Sequence, residues 1–513
     1  MARLHEHQGK SLLAGAGFAV PQGGPAKSSK EAQTLAEEIG GPVVVKAQAW
    51  VTGRAGIGAI RFVDTPNEVA KAASEILGMQ VKGFTVDTVL IEEKLDIERE
   101  FYAGVIIDDQ SQAPMMIFSS IGGSGVEEIA EEHPEAISRC SVDIRTGLLD
   151  HQARNLIRKA GIQGKLQLQL GGLLSKLYDV ARKYDARAAE INPIVLTSDG
   201  KLLAADCRIT VDDYAVYRHR DLGIEIAREF DRPPTTLEHI AWQVEKNDYR
   251  GTFYFIQLER DFKSRDGVIG FHGAGGGGSM MSMDAVLNRG YKLANFVDTS
   301  GNPPASKVYR AARIILSQSG IDGYFASGSG VASQEQFHSA RGLVKAFMET
   351  PLKVPAVIRL GGNAEDRAIA ILERAREYIP APVEGYGKDD TPEFCAQRLD
   401  ELIQAHKPAD EDFHRYAPAK AKKPYQFETV TGGTVTFDHA ACLGCESKIC
   451  IETCVPKILE LKDSVPVLNI SREDAKKGGC IECMACEIEC FFEGNHGGVV
   501  SLPIPGLDEE SAT

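Results

Sequence analysis

The sequence predicts an α/β protein of three domains, and three observations carry this prediction. Helical and strand patterns alternate over residues 1–240, regular strand–loop–helix units follow over residues 241–408, and eight of the eleven cysteines fall between residues 442 and 490. A chain of 513 residues is long enough for about three domains, at roughly 100–200 residues each. The strand–loop–helix units predict a doubly wound parallel sheet.

Composition and charge exclude several classes of protein. The chain has 57 Lys+Arg and 72 Asp+Glu, a net charge of −15, and 43% hydrophobic residues, which is typical of a globular protein. Nucleic-acid binding needs clustered Lys and Arg, so this acidic balance argues against it. No apolar run reaches the roughly 18–20 residues of a membrane span, and the N-terminus has no secretory signal. We therefore expect a cytoplasmic protein.

In the first domain, apolar runs predict strands and helical spacing predicts a long helix. Ser198-Asp-Gly200 between two apolar runs is typical of a β-hairpin. The predicted elements are strands at Gly41–Lys46, Val89–Glu93 and Phe101–Ile107, a helix at Leu166–Tyr184, and hairpin strands at Ala189–Leu196 and Leu202–Ile209.

The second domain repeats strands followed by Gly- or Ser-rich turns and amphipathic helices. Ligands bind at the carboxyl ends of such strands. The predicted strands are Gly267–Phe271, Leu293–Val297, Gly323–Ala326 and Val354–Leu360, and two predicted helices are Ser306–Gln318 and Gln334–Met348. Residues 409–424 are predicted to form a linker, and residues 425–513 are predicted to form a small α+β domain.

A nucleotide-binding motif follows the strand that ends at Lys46. In the glycine-rich run Thr52–Gly58, backbone amides can approach phosphate oxygens, and Lys46 and Arg54 can offset their charge. A flexible hairpin tip is the alternative interpretation. Asn192 and Asp206 on the later hairpin strengthen the nucleotide hypothesis, since their oxygens are suitable ligands for one Mg²⁺.

Several short motifs resemble the β subunit of succinyl-CoA synthetase over residues 1 to about 400. They are Leu4-His-Glu-His-Gln-Gly-Lys10, Val44-Val-Lys46, Glu131-Glu-His-Pro134, Glu190-Ile-Asn-Pro193 and Ala294-Asn-Phe296. The resemblance implies an ATP-grasp domain over residues 1–240 and a flavodoxin-like CoA-ligase domain over residues 241–408.

The resemblance also implies roles for individual residues in the first domain. An ordinary strand-end carboxylate is the alternative for Glu190, and a surface ion pair the alternative for Glu100. The implied roles are phosphate contact for Lys46, a catalytic lid for Gly53 and Arg54, nucleotide contact for Glu92 and Glu100, Mg²⁺ binding for Asn192 and Asp206, and a catalytic position facing a phosphohistidine for Glu190.

Two turns of the second domain are dense in glycine: Gly273–Ser279 and Ser327–Ala332. Each lies between a strand and a helix, where free amides and the helix dipole attract anions. The resemblance implies phosphate contacts for the backbone of Gly330, Val331 and Ala332. His272 stands where the family has an Asn that contacts the organic acid or phosphate. A phosphorylated His272 is disfavoured, because the resemblance implies that the phosphohistidine belongs to the α subunit, and a substrate-contacting or a structural histidine is preferred. For Arg359 we keep anion binding and a salt bridge open.

The clustered cysteines have the spacing of iron–sulfur ligands. The run Cys480-x₂-Cys483-x₂-Cys486-x₃-Cys490 is the two-cluster ferredoxin pattern, in which the fourth thiolate serves the neighbouring cluster. This predicts one [4Fe–4S] cluster on Cys442, Cys445, Cys450 and Cys490, and a second on Cys454, Cys480, Cys483 and Cys486. Two structural zinc sites are the alternative. The spacing therefore predicts a ferredoxin-like C-terminal domain.

These observations predict an ADP-forming carboxylate–CoA ligase β subunit. The reaction is acid + CoA + ATP giving acyl-CoA, ADP and phosphate; the resemblance implies an acyl phosphate, and a phosphohistidine and most of the CoA site on a partner α subunit. ATP or GTP with Mg²⁺, coenzyme A and two [4Fe–4S] clusters are the expected cofactors. Residues 431–513 carry 6 Lys+Arg and 14 Asp+Glu, which suits docking to a basic redox protein.

Two other functions remain open from the sequence. In the first, the chain is the ATP-binding iron–sulfur subunit of an electron-transfer or reductase complex that acts on an acid or acyl-CoA. In the second, the clusters are a structural or oxygen-sensing tail.

Overall fold

The computed structural model describes residues 2–49, 58–81, 83–123, 130–224, 232–328, 330–407 and 416–508. The chain divides into two compact units, Met1–Pro233 and Pro234–Thr513. Among the described residues, no helix combines the length and the apolar character needed to cross a bilayer.

The first unit is built from antiparallel strands and helices. The strands are β1 (Ala2–Arg3), β2 (Gly23–Ala26), β3 (Val43–Ala47), β4 (Ile60–Val63), β5 (Gln80–Val81), β6 (Phe84–Thr85), β7 (Val89–Glu93), β8 (Ile97–Asp108), β9 (Ala113–Ser119), β10 (Ile137–Ser141), β11 (Ala186–Thr197), β12 (Leu202–Ala204) and β13 (Cys207–Val211). The helices are α1 (Glu6–Gly15), α2 (Ser29–Ile39), α3 (Pro66–Ile76), α4 (Asp150–Lys159) and α5 (Gly164–Lys183).

These strands form a small and a large sheet. The small sheet has the order β2-β7-β3-β4, and the large one β1-β13-β11-β8-β9-β10 with β12 paired to β11. Helix α3 begins where Thr65 and Glu68 form a capping box, and its apolar face packs with α2 on the small sheet. Helix α5 buries Leu170, Leu174 and Leu177, at helical spacing, against the large sheet.

The second unit begins with a mainly parallel sheet. Its strands are β14 (Tyr254–Gln257), β15 (Val268–Ala274), β16 (Lys292–Leu293), β17 (Asn295–Asp298), β18 (Gly323–Gly328), β19 (Ala356–Arg359) and β20 (Val383–Tyr386). The helices are α6 (Thr236–Lys246), α7 (Gly276–Leu287), α8 (Ala305–Leu316), α9 (Phe337–Glu349), α10 (Glu365–Ala375) and α11 (Pro392–Ala405).

Helices cover both faces of this sheet, as the strand–loop–helix pattern predicts. The order is β14-β17-β15-β18-β19-β20, and only β14 runs antiparallel to its neighbour within this path. Phe271 and Phe325 pack under α7 and α11, whereas Tyr324 and Ala326 face α8 and α9. This alternation follows from the two-residue period of a strand.

The cysteine-rich segment, residues 424–508, completes the second unit. It contains β21 (Pro424–Glu428), β22 (Thr434–Asp438), β23 (Leu459–Lys462), β24 (Val465–Leu468), β25 (Gly498–Ser501), α12 (His439–Leu443), α13 (Ile449–Glu452), α14 (Arg472–Asp474) and α15 (Ala485–Glu493). Phe437 and Ile488 of this segment belong to the same apolar core as Tyr309 of α8 and Phe347 of α9. The cysteine-rich segment and the helices of the parallel sheet therefore share one core.

Candidate functional site

Two lysines and two glutamates form a buried ion-pair network in the first unit. Nζ of Lys46 lies 2.7 Å from Oε1 of Glu6 and 2.9 Å from Oε2 of Glu92. Nζ of Lys10 lies 2.6 Å from Oε1 of Glu92 and 2.9 Å from Oε1 of Glu6. All four residues are buried. Because Glu92 pairs with Val44, two residues before Lys46, both side chains lie on one face of the small sheet.

This network keeps Lys46 charged. Burial opposes the ammonium charge, but the carboxylates of Glu6, Glu92 and Asp206 outweigh burial and raise the pKa of Lys46 above its ordinary value. A buried cation of this kind is suited to an anionic ligand such as a nucleotide phosphate.

The same lysines interrupt the predicted hairpin strand. The carbonyl oxygen of Ala205 accepts hydrogen bonds from Nζ of Lys10 at 2.7 Å and of Lys46 at 2.9 Å. The strand predicted over Leu202–Ile209 is therefore split into β12 and β13, and Asp206 lies in the gap between them. This interruption places the Asp206 backbone directly after the carbonyl that the two ammonium groups hold.

The structure brings Asn192, Asp206 and Glu100 toward the same end of the large sheet. The amide of Asn192 donates to the carbonyl of Asp206 at 3.1 Å, beside the cis peptide bond Asn192–Pro193. Oδ1 of Asn192 accepts from the amide of Gly123 at 2.8 Å. A Cβ at Gly123, where φ is +85°, would lie 2.3 Å from Oε2 of Glu100. Gly123 therefore lies next to the side chains of both Asn192 and Glu100.

Glu190 lies two residues before Asn192 on β11 and is half-buried. Its Oε2 accepts from the hydroxyl of Tyr102 at 3.1 Å, and Nη1 of Arg208 lies 3.9 Å from its Oε1. The predicted lid residues Gly53 and Arg54 lie outside the described residues.

The first glycine-rich turn of the second unit opens a helix, as predicted. Helix α7 starts at Gly276, and Gly275 before it has φ +90°. The amide of Gly275 donates to Oδ1 of Asp298 at 2.9 Å, and the same oxygen accepts from the amide of Ser300 at 2.8 Å. Asp298 therefore fixes the entry into α7.

The helix predicted from Gln334, after the second turn, starts three residues later. Helix α9 starts at Phe337 rather than at Gln334. The amide of Gln334 donates to Oδ1 of Asn302 at 2.9 Å, and the amide of Gln336 to the carbonyl of Asn363 at 2.8 Å. These long-range partners hold residues 334–336 outside the helix. Gly330 has φ +76°, Val331 is 81% exposed, and Ala332 forms a β-bridge with Gly362.

His272 lies inside the parallel sheet. It is 4% exposed, and its Nδ1 lies 2.6 Å from the hydroxyl oxygen of Tyr324, which is buried against Phe347. Burial lowers the pKa of His272 to about 3, so the imidazole is neutral at pH 7. These contacts favour the structural alternative for His272.

Among the described residues Arg359 forms no salt bridge, and it binds three backbone carbonyls. Its Nη1 donates to the carbonyl of Gly328 at 3.0 Å, Nη2 to the carbonyl of Lys388 at 3.1 Å and Nε to the carbonyl of Asp390 at 2.5 Å. Anion binding stays a prediction. The guanidinium therefore connects the end of β18 to the loop after β20.

The eight clustered cysteines line two cavities, four in each. One cavity is lined by Cys454, Cys480, Cys483 and Cys486. The other is lined by Cys442, Cys445, Cys450 and Cys490. None of the described cysteines forms a disulfide. These two groups are the same as those derived from the spacing.

Burial disfavours the thiolate form at several of these cysteines. Burial raises the pKa of Cys450 and of Cys480 to about 12. Metal binding supplies the positive charge that deprotonates such thiols. Across the described ranges, no three or more His, Cys, Asp or Glu side chains are grouped closely enough to hold one metal ion.

Sequence reasoning assigned no role to Glu6, Lys10 or Tyr324. Glu6 and Lys10 lie within the motif Leu4–Lys10, so the signal for them was present in the sequence. Tyr324 carries no such signal, because it meets His272 only once β15 and β18 pair.

Comparison with known proteins identifies two domain families in the chain. The ATP-grasp domain family matches residues 3–196, and the ATP citrate lyase citrate-binding family matches residues 262–397.

Full-length relatives show the same relationship. The β subunit of GDP-forming succinate–CoA ligase from Thermus thermophilus is 38% identical over 382 residues, which are 74% of this chain and 96% of the relative. The β subunit 1 of the ADP-forming enzyme from Archaeoglobus fulgidus is 36% identical over 373 residues, 72% of this chain and 93% of the relative. The solved ATP citrate lyase of Methanothrix soehngenii, in complex with citrate and coenzyme A, has the same fold with a TM-score of 0.63 at 17% identity, covering 78% of this chain and 99% of that one.

We expect His272 to make the stability of the second unit depend on pH. Below about pH 6.5 the unfolded chain binds a proton at this position, whereas the folded protein binds it only near pH 3. The free energy of unfolding should therefore fall as the pH falls through this window, by at most about 1.4 kcal/mol per pH unit from this group. Urea unfolding of wild type and His272→Asn at pH 7 and pH 5 measures the difference. Exposed His239→Asn, in the same unit, should retain the wild-type pH dependence. A His272→Asn variant that also retained it would contradict the assignment.

Proposed function

The chain belongs to the family of succinate–CoA ligase β subunits, which are ADP- or GDP-forming acid–thiol ligases, and from this premise we propose its reaction and site. With a partner α subunit, it converts acid, CoA and ATP into acyl-CoA, ADP and phosphate. The observation that carries the proposal is the buried Lys46, held charged by Glu6 and Glu92 beside Asp206.

The first unit holds the nucleotide. Lys46 offers a permanent positive charge to the phosphates, and Arg54 adds a second from the lid. Phosphoryl transfer depends mainly on positioning and on neutralising the charge of the transferring group. We propose that Glu92 and Glu100 contact the nucleotide. Glu6 and Glu92 neutralise Lys46, so a phosphate bound to Lys46 would replace carboxylate contacts.

Asn192 and Asp206 fit a magnesium ion. Amide and carboxylate oxygens are the ligands that this hard cation prefers. The two residues are adjacent across the hairpin, and the Asp206 charge is close enough to act on Lys46. When bound, Mg²⁺ would neutralise charge on the phosphates. Glu190, on the same strand, would face the phosphohistidine of the partner subunit.

In the second unit, the backbone of Gly330, Val331 and Ala332 would contact phosphate. Gly330 has the left-handed conformation that favours glycine, and Val331 is exposed. His272 would not contact the substrate directly, and would affect the site only by its packing within strand β15.

ATP-dependent thioester formation tests the nucleotide site. In the full chain co-expressed with its α subunit, Asp206→Ala should lower the rate at least about 100-fold and weaken Mg²⁺–nucleotide binding in calorimetry. Asp199→Ala is the control. Asp199 forms an exposed ion pair in the turn of the same hairpin, and this variant should have wild-type activity. A wild type without nucleotide uptake, or an Asp206→Ala variant with unchanged binding, would contradict the proposal.

A second candidate substrate is citrate. Residues 262–397 match a citrate-binding family, although the long relatives are succinate–CoA ligases. Both acids are small polycarboxylates, so the same unit is compatible with either class.

A panel of carboxylic acids decides between the two substrates. Because the succinate–CoA ligases align along almost their whole length, we expect kcat/KM for succinate to exceed that for citrate by about 10-fold or more. Thioester formation with each acid, at fixed ATP and CoA, measures this ratio. A preference for citrate would reverse the assignment and support the second candidate.

For the cysteine-rich segment, we propose two [4Fe–4S] clusters that transfer electrons. The division of the eight thiols between two cavities, four in each, supports this. Zinc, with Zn–S bonds of about 2.3 Å, draws its four sulfurs to within about 3.8 Å of one another. Two zinc sites remain the alternative, and analysis of both metals distinguishes them. A basic redox protein would suit the acidic surface of this segment.

Because the proposed clusters could also serve a reductase, the reductase alternative needs its own test. Reduction of an acid or acyl-CoA that requires both ATP and a low-potential electron donor would support it. Thioester formation that continues at the same rate with an oxidised and a reduced protein favours the ligase.

Iron content tests the cluster proposal. Anaerobically purified wild type should contain about eight iron atoms per chain, and Cys483→Ala about four, since one cavity loses a ligand. Iron analysis and the paramagnetic resonance spectrum of the reduced protein measure this. Cys395→Ala, a buried cysteine of the parallel-sheet core, should retain the wild-type content. Zinc in place of iron, or equal iron in both variants, would contradict the proposal.

A further inference from the structure

The helix that carries Cys486 and Cys490 is joined to the parallel sheet by two buried ion pairs. Nη2 of Arg341 lies 2.7 Å from Oε1 of Glu489, and Nζ of Lys345 lies 2.8 Å from Oε1 of Glu487. Arg341 and Lys345 are on α9, and the glutamates are on α15. Their exposed fractions are between 0% and 4%.

Glu489 is the central acid of a group of arginines. Besides Arg341, the guanidinium groups of Arg367 and Arg374 each lie 3.7 Å from its carboxylate. Nη1 of Arg341 is buried and has no hydrogen-bond partner among the described residues. Charge compensation of Arg341 therefore depends on Glu489, and a buried charge that loses its partner is strongly destabilising.

A continuous series of contacts leads from Arg341 to the glycine-rich turn at residues 330–332. The guanidinium groups of Arg341 and Arg367 each lie 4.7 Å from the ring centroid of Phe337, the first residue of α9. The preceding residue, Gln336, donates its amide to the carbonyl of Asn363 at 2.8 Å. The amide of Asn363 donates in turn to the carbonyl of Ala332 at 3.1 Å.

We propose that Glu489 is a positioning residue of the ligase reaction, which holds the phosphate-binding turn through Arg341 and the start of α9. The carboxylate fixes the guanidinium, the guanidinium fixes Phe337, and the start of α9 with Asn363 fixes the backbone of Ala332. This inference rests on the proposed phosphate contact of residues 330–332. It does not require that the cysteines hold a cluster, because the ion pair is formed by the polypeptide alone.

Glu489→Gln tests this coupling, because it removes the charge and nearly conserves the shape. In the full chain with its α subunit, the reverse reaction from acyl-CoA, ADP and inorganic phosphate gives the KM for phosphate. We expect this KM to rise about 5-fold with kcat little changed. Hydrogen–deuterium exchange of residues 330–337 should become faster. Glu489→Asp, which retains the charge, should recover most of the wild-type KM.

Glu493→Gln is the matched control. Glu493 lies one turn further along α15, is half-exposed, and pairs with Arg374 at 2.9 Å. Exposed ion pairs contribute little, so this variant should have the wild-type KM for phosphate and wild-type exchange.

Two results would overturn the proposal. The first is a Glu489→Gln variant with unchanged exchange at residues 330–337. The second is a Glu489→Gln variant that has lost iron and that reproduces the kinetics of Cys483→Ala, since the effect would then come from the cluster. A wild type without phosphate-dependent activity would instead contradict the proposed function, and the exchange measurement would still decide the coupling.

Discussion

Compensation of buried charge is the constraint on which the first unit depends. Lys10 and Lys46 are removed from water, and Glu6 and Glu92 are buried beside them as counter-charges. The requirement fixes helix α1 against the small sheet, and it directs the carbonyl of Ala205 toward the two ammonium groups. The strand breaks at that carbonyl, so Asp206 lies beside Lys46 rather than in a continuous ladder.

Buried charge is compensated in the second unit as well, and there the ion pairs join the cysteine-rich segment to the parallel sheet. Arg341 and Lys345 are as deeply buried as the lysines of the first unit, and their acids come from the cysteine-rich segment. Apolar packing alone would let α15 slide along α9, since hydrophobic contact is not directional. Two ion pairs four residues apart on α9 define one register. The cysteines of α15 are thereby placed at a defined position relative to the parallel sheet.

Features set by local pattern were predictable from the sequence, and features set by distant partners were not. The strands β3 and β7, the parallel sheet and the grouping of the cysteines follow from apolar periodicity and from ligand spacing. The break after Ala204 does not, because Lys10 is 195 residues from Ala205. The start of α9 at Phe337 depends on Asn302 and Asn363, and the burial of His272 depends on Tyr324. In the candidate site, the sequence predicted the residues that would bind phosphate and Mg²⁺. It did not predict that the carboxylates of Glu6 and Glu92 neutralise Lys46.

The single core of the second unit also limits how this gene product changes by mutation. Phe437 and Ile488 pack with Tyr309 and Phe347, so neither half has an apolar surface that is complete without the other. The buried charges of Arg341 and Glu489 lie on opposite sides of the boundary between the two segments, so a change of charge at either position affects both segments.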